Sequence, residues 1–528
     1  MSKKNQTARA VATVFFLLLA LWLTAGCADT GSGGPGGGDA DGPADGDAAD
    51  GEADGDNDGD ADEAEPEQVP HFIWPRCDGI HAEPTLAEKA AAFDRLARER
   101  HIAPDGLLRN VYLTEDLGEV DHWLHAPNTI LWSGIYLASQ ALRYAVTGDP
   151  EAQENARRIV GGLRDLTAVT GRSGLYGRSM IRPGVPYNPV PADAPTWADS
   201  EAPGYEGWRF NFDVSQDGYA GLMFGYSAAL RHFDDAALLA DVRGRVREVV
   251  DHLISNGLQI IDITGEVTEH GRVFHSALDN FPGFNAMLAS SWVKVGQSVL
   301  DDPRLDDFYY GCLMRMREDV ECPDFEDEFA VDAFHLTSYI ASMEERLYLF
   351  IPNCQYNIDN FDMCYQAMYP LATREEDPEL AGRLRGVLAA NMYHNAEPNH
   401  IDIPTVGNTF FTFAYAALTG RGPDEDAVLK DGVERAVCTL KEFPARKFRR
   451  HIPAGRQESV CTNRMGRHNA AEPIPLSEYD FDNYLWRLDF YEINPEEVLE
   501  DQRLVYSPED YLMAYWMGRH HGLLTEDM

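Results

Sequence analysis

Six stretches of this chain bring a carboxylate within a few residues of an aromatic, histidine or asparagine side chain. They are DHWLHAPN from Asp121, WRFNFDVSQD from Trp208, HSALDNFPGFN from His275, FEDEFAVDAFH from Phe325, NHIDIPTVGN from Asn399 and YDFDNYLWRLDFYE from Tyr479. Solubility alone does not call for that pairing, but cleavage of a glycosidic bond does. One carboxylic acid protonates the leaving oxygen, a second carboxylate acts as base or nucleophile, and flat aromatic faces carry the sugar rings. Asp217, Asp121 and Asp279 are the candidates for the carboxylates, Trp123, Trp208 and Trp486 for the stacking surfaces, and His125, Asn211, His275 and His400 for polar contacts to a glycan substrate. Asp217 also has a structural reading: Ser215 is placed as a helix N-cap, and a carboxylate two residues on sits in the positive first turn. Elimination would instead need a histidine or tyrosine base and a neutralising side chain for a uronate, roles open to His125, His275, His400, Tyr219 and Asn408.

Other chemistries leave no signature. Phosphate loop, dinucleotide fingerprint, GxSxG elbow and Cys/His dyad are missing from the sequence, so no cofactor is expected. His394, His400 and Asp402 have a spacing that matches no strong metal motif, and no metal is expected. His520 and His521 are adjacent, which on a helix splays them apart and disfavours joint ligation.

Residues this far apart meet only if the fold gathers them, and the chain shows a repeating device that would. Apolar segments rich in Gly, Ala and aromatics alternate with charged amphipathic ones. Five breaks of similar character punctuate the alternation: GDPEAQ at Gly148, DDAALL at Asp234, DDPRLD at Asp301, EDPELA at Glu376 and GPDEDA at Gly422. Asp ahead of Pro, or Pro at the first helical position, is a helix-start signal. The pattern predicts outer helices near 86–101, 150–168, 236–256, 303–319, 378–395 and 425–441, and inner helices near 128–147, 216–232, 280–299, 333–350, 405–419 and 508–523. The inner ones would pack on both sides and the outer ones through a single stripe. LQIIDITGEVTEHG from Leu258 reads as a β-hairpin turning at Thr264 and Gly265, GLLRNVYL as a short extended segment, and 352–373 and 442–507 as long loops. The fold class is therefore all-α, six helical hairpins with a minor β-hairpin.

Six helical hairpins with a Trp-, Asn- and Asp-rich loop entering each inner helix resemble the six-hairpin (α/α)6 toroids of bacterial glycoside hydrolases and polysaccharide lyases, over roughly Thr85 to Leu524. The segment VSQDGYAGLMFGYSAALRHFDD also resembles a Ser-x-Asp-x-x-x-Gly-x-x-Phe-Gly stretch that recurs in secreted bacterial proteins of unassigned activity. The resemblance implies a ring whose loops converge at one mouth, acting on an extracellular or periplasmic glycan. It carries no catalytic residue across. Hydrolysis is the first expectation, elimination the second, and a non-catalytic glycan- or protein-binding lipoprotein the third.

The termini and charge complete the picture. Lys3, Lys4 and Arg9 precede the apolar run Val11–Leu23, which ends in LTAGC, so residues 1–26 read as a secretory signal with a lipobox. Cys27 would be lipidated and hold the protein at a membrane, in the cell envelope. Leu23 lies four residues before the cysteine rather than the favoured three. Residues 27–70 form an acidic, Asp/Gly-rich tether with no apolar surface to bury, and residues 71–528 form the toroid domain. Asp54, Asp56, Asp58, Gly59, Asp60, Asp62 and Glu65 fit a calcium-loop pattern without flanking helices, which supports only loose calcium association. The net charge of −43 divides into +3 before the lipobox, −15 in the tether and −31 in the remainder, an acidic body that argues against nucleic-acid partners. Export makes disulfides expected, and spacing suggests Cys312 with Cys322, Cys354 with Cys364 and Cys438 with Cys461, leaving Cys77 over.

Overall fold

The computed structural model describes residues 84–322 apart from 126–127, 274–281, 315 and 318; residues 358–453 apart from 395–402 and 421; short stretches between 461 and 493; and residues 497–528. All lie within the unit Val69–Met528. The signal, Cys27, the tether with its calcium pattern, Cys77, Cys354, Asp279, His275, His400 and the helix expected at 333–350 lie outside the described residues.

Helices alternate along the chain as outer and inner members of hairpins. They are α1 (Leu86–Leu96), α2 (Thr129–Thr147), α3 (Pro150–Ala168), α4 (Gln216–His232), α5 (Ala236–Ser255), α6 (Pro282–Val299), α7 (Pro303–Asp306), α8 (Ile358–Arg374), α9 (Pro378–Val387), the single turn α10 (Ile403–Val406), α11 (Thr409–Thr419), α12 (Ala427–Glu442) and α13 (Glu509–His520). Outer helices α1, α7 and α9 run on as wide π-type turns over Ala97–His101, Asp307–Leu313 and Leu388–Tyr393.

The five breaks start helices as their sequence signals require. Asp149, Asp235, Asp302, Asp377 and Asp426 each accept hydrogen bonds from backbone N–H groups in the first turn of an outer helix, satisfying donors that the helix itself leaves unpaired.

The inner helices α2, α4, α6, α8, α11 and α13 pack each against the next, and α13 returns to α2, so the six close on themselves as an (α/α)6 toroid. Their small residues let backbones touch. A Cβ on Gly134 of α2 would overlap the Gly221 carbonyl of α4, and one on Gly225 would overlap the Gly134 carbonyl. Phe224 of α4 meets Tyr369 of α8 at 5.8 Å and Phe410 of α11 at 6.1 Å, so aromatic packing fills the ring's middle. The seam between first and last hairpins is bonded as well. Leu86 N donates to Met528 O (3.1 Å), Tyr511 Oη to Leu86 O (3.0 Å) and Trp516 Nε1 to Asp94 Oδ2 (3.2 Å).

One expected loop is a helix. Ile358–Arg374 occupies the fourth inner position, between α6 and α11, where 352–373 was expected to be irregular. Pro370 inside it and the acids Asp359 and Asp362 at its start disguise an otherwise apolar face. Cys364 is consequently a buried free thiol and not the expected partner of Cys354, and burial pushes its pKa up. Cys312–Cys322 forms as expected, with a Cα–Cα separation of 5.6 Å, and Cys438 is disulfide-bonded.

Short strands fill the connections that enter inner helices. The strands are β1 (Val111–Leu113), β2 (Val120–Trp123), β3 (Ser179–Ile181), β4 (Trp197–Asp199), β5 (Arg209–Asn211), β6 (Gln259–Ile261), β7 (Val267–Arg272), β8 (Phe448–Arg449), β9 (Cys461–Thr462), β10 (His468–Asn469), β11 (Glu492–Ile493) and β12 (Asp501–Val505). They form sheets in the orders β2-β1-β12-β8, β3-β5-β4 and β11-β10-β9, plus the expected hairpin β6-β7. Most are too short to show alternation, which is why only the hairpin and the β1 segment stand out in the sequence. A buried ion pair fastens this layer to the ring: Arg109, fully buried, donates to Asp105 Oδ2 (2.6 Å), Met180 O (2.7 Å) and Ser179 Oγ (3.3 Å).

Candidate functional site

Side-chain bonds show that the inner helices start at one end of the ring. Asn128, the N-cap of α2, donates to Asp217 in the first turn of α4, and Gln216 of α4 donates to Asn285 in α6 (3.0 Å). At that end α11 opens with Asn408 as N-cap and α13 opens with Glu509 and Asp510. All of these side chains are buried. Six aligned helix N-termini present positive partial charge there, which favours carboxylates.

Asp217 is 8% exposed and held from both oxygens. Its Oδ2 accepts from Asn128 Nδ2, and its Oδ1 from Ser215 Oγ and the Gly218 N–H (3.1 Å). Ser215 in turn accepts from Arg178 Nη1 at 3.0 Å. Asn128 reaches this position with φ 66°, a left-handed conformation uncommon for a residue other than glycine and of the kind that collects at functional sites. The expected cap from Ser215 to the backbone is absent, since Ser215 makes no side-chain capping bond and serves Asp217 instead.

Glu509 is the residue that sequence reasoning missed. It is 4% exposed, and burial pushes its carboxyl up to about 7, with the Lys447 ammonium opposing the rise and the Asp510 carboxylate adding to it. Its neighbour Asp510 is neutralised: Lys447 Nζ donates to Asp510 Oδ1 and to Ser507 O, both at 2.8 Å. Among the described residues no protein group bonds Glu509 Oε2. A carboxyl half-protonated near neutrality can give up a proton to a leaving group. The signal was present in SPED from Ser507, a helix start with acids in its first turn, inside a segment otherwise read as core.

A second feature marks this end. Of the buried atoms that lack a hydrogen-bond partner among the described residues, five, Asn128 Oδ1, Asn285 Nδ2, Asn408 Nδ2, Thr412 Oγ1 and Glu509 Oε2, lie at the N-cap or in the first turn of inner helices. Buried polar groups are nearly always satisfied, so water or a ligand is expected to complete the bonding of such atoms.

The structure distributes the other expected residues. Asp121 lies on β2 with its side chain 50% exposed, accepting from its own neighbour His122 Nδ1 at 2.8 Å. Trp123 is half-buried and donates through Nε1 to Arg100 O (2.9 Å). His125 lies edge-on to Trp197 at 5.4 Å, with Nε2 at 3.2 Å from Pro189 O. Trp208 is half-buried between Tyr205 at 5.2 Å and the Arg182 guanidinium at 5.6 Å. Asn211 spends its side-chain oxygen on the Asp213 N–H (3.0 Å). Trp486 has no exposed ring face: it is fully buried beside Phe410 and donates to Asp510 O (3.1 Å), so it packs the mouth from within. Among the described residues no group of three or more His, Cys, Asp or Glu side chains is placed to hold a metal ion.

No family model matches the sequence, and no curated protein matches it. Solved structures do. The chain is similar to a D-mannose isomerase (12% identity, 87% of this chain and 100% of that one, TM-score 0.42). It is also similar to an unsaturated glucuronyl hydrolase specific for heparin (11%, 82% and 96%, 0.39) and to a GH76 α-mannanase of Bacteroides thetaiotaomicron (10%, 85% and 98%, 0.38).

Proposed function

We propose that the N-terminal end of the ring binds a glycan and hydrolyses it, with Glu509 as proton donor and Asp217 as the second carboxylate. The supporting observation is a pair of buried carboxylates in different environments, in the first turns of α4 and α13, with atoms of Asn128 and of Glu509 itself left without a partner among the described residues. Sugar hydroxyls both donate and accept, so one polyhydroxylated ligand can satisfy amide, hydroxyl and carboxyl atoms together. Two cations that reach these groups among the described residues are already engaged, Lys447 with Asp510 and Arg178 with Ser215. That favours a neutral glycan over a uronate, and hydrolysis over elimination. Asp121 and Asp279 remain further candidates for the carboxylate roles. The signal, Cys27 and the acidic tether support placement at the cell envelope, anchored to a membrane through the lipidated cysteine, with loose calcium binding in the tether.

Incubating the protein with a panel of neutral and acidic polysaccharides tests this reading. Hydrolysis yields reducing ends with no absorbance from unsaturated uronides, elimination yields that absorbance, and a binding protein retains glycan while yielding neither. Asp217→Asn should abolish release of reducing ends while leaving Tm within a few degrees of wild type. An unaltered rate in this variant removes Asp217 from the mechanism.

A further inference from the structure

The opposite end of the ring carries an arrangement the glycan site does not use. The C-terminal turns of α4, α8 and α13 bring together Arg231, His232, Arg374, His520 and His521, with Tyr369 beneath them. The His232 and His520 rings are 4.7 Å apart, as are those of His520 and His521. The adjacent pair does not splay apart, because His521 is the C-cap, where the helix has ended.

Helix C-termini attract basic side chains, and that accounts for part of the cluster. Arg231 Nη1 donates to Thr373 O (2.9 Å), Arg374 donates to Ser227 O and Oγ (both 2.7 Å) and to Ser298 Oγ (3.0 Å), and Tyr369 Oη bonds His521 Nε2 (2.7 Å). His232 and His520 are different: both are partly exposed, and among the described residues neither has a hydrogen-bond partner. Among the described residues none of the five basic side chains makes an ion pair, although acids outnumber bases 87 to 44 in the sequence. Arg519 nearby does pair, with Glu526 at 3.8 Å. Burial first, and then mutual repulsion, holds His232 down to about 3 and His521 to about 4. Half-exposed donors of one sign without a counter-charge are the arrangement that an oxyanion completes.

We propose that the surface formed by Arg231, His232 and His520 binds a small oxyanion, either a free inorganic ion or the charged group of a glycan. The anion accepts from the unused Arg231 nitrogens and from the imidazole N–H groups, and it supplies the missing negative charge. It favours the protonated imidazoles, so binding takes up protons and tightens as pH falls below about 6.5 toward the depressed values of the free site.

Calorimetric titration of the full chain with sodium sulfate, inorganic phosphate and glucuronate, at pH 5 and 8 and at constant ionic strength in sodium chloride, tests this. Expected are saturable binding at pH 5, weaker binding at pH 8, and a heat at pH 5 that varies with the ionisation enthalpy of the buffer. Arg231→Gln should weaken binding about tenfold, and His520→Gln should reduce the proton uptake, both at wild-type Tm. Sulfate or phosphate binding with glucuronate excluded assigns a free ion, and glucuronate binding assigns a glycan-borne charge. No saturable binding of any of the three, or wild-type binding in both variants, overturns the proposal.

Discussion

The two ends of the ring differ in sign and in how fully their polar groups are bonded. The N-terminal end gathers Asp217, Glu509 and Asp510, and the C-terminal end gathers Arg231, His232, Arg374, His520 and His521. The aligned helix dipoles account for the sign, carboxylates at the positive ends and bases at the negative ones. They do not account for the bonding. Capping would leave each group paired with backbone, as Asp235 is with the Ala237 and Leu238 N–H groups at an outer helix. Glu509 Oε2 at one end and the His232 and His520 rings at the other have no such partner among the described residues. A dipole explains where a charge sits, and an unmet bonding capacity shows where something else has to bind.

The comparison breaks most decisively at Glu509. Glu509→Gln should lower turnover about 10²–10⁴-fold, read as reducing ends on whichever polysaccharide the wild type cleaves. The same change should raise stability at high pH. Folding raises this carboxyl from 4.5 to about 7, so its contribution is fully present below about 4.5 and is lost as pH rises through about 7. Glutamine stays neutral throughout. Urea unfolding at pH 8 should therefore favour the variant by on the order of 2–3 kcal/mol, with the difference vanishing at pH 4. A variant equally active, or destabilised at pH 8, would mean that Glu509 is an ordinary first-turn acid.

Next in size is the contact that holds both ends in register. Gly134 of α2 lies against the Gly221 and Gly225 backbones of α4, the helix that carries Asp217 at one end and His232 at the other. Because the opposing atoms at Gly221 are backbone, no side-chain rotation relieves an added methyl. Gly134→Ala should cost about 3 kcal/mol in urea unfolding, whereas Gly161→Ala on α3, where a Cβ would meet nothing within 4 Å, should cost nothing.

What the sequence disclosed follows from how local each signal is. Helix starts written in adjacent residues, such as Asp149-Pro150 or Asp377-Pro378, were legible, and so were five of the six inner helices. The fourth was obscured because Pro370 interrupts its apolar period and because Cys354 and Cys364 invited a stapled loop. The candidate site was legible at Asp217 and at the principle of convergence, but not in its membership. Glu509 matters because of Lys447 and Asp510 around it and because of burial, and the partners of Asp217 lie 89 residues away at Asn128 and two away at Ser215. Trp486 shows the reverse: its composition suggested a sugar platform, and only its burial beside Phe410 reveals packing.

A fully bonded cation sharpens the contrast at smaller cost. Lys89 of α1 caps the end of α12, donating to Leu440 O (3.0 Å), Lys441 O (3.2 Å) and Phe443 O (2.6 Å). Its role is structural, so Lys89→Met should lose about 2 kcal/mol through the carbonyls left unpaired, and anion binding at the far cluster should be unchanged. A change in anion affinity would show that the C-terminal cluster responds to general charge rather than to local geometry.

The smallest effect separates a strained cluster from a merely basic one. His232 is held down to about 3 from 6.5, chiefly by burial and then by His520, Arg231, His521 and Arg374. A histidine whose folded pKa is depressed contributes stability that is complete above about 6.5 and is lost as pH falls toward 3. His232→Gln removes that penalty. In urea without added oxyanion, the variant should match wild type at pH 8 and exceed it at pH 4.5 by roughly 1 kcal/mol, the figure being reduced by the ring's partial exposure. Sulfate should abolish the difference by supplying the charge that the imidazolium lacks. If wild type and variant stay parallel from pH 8 to 4.5, the cluster bears no unresolved repulsion, and its bases serve only to cap helix ends.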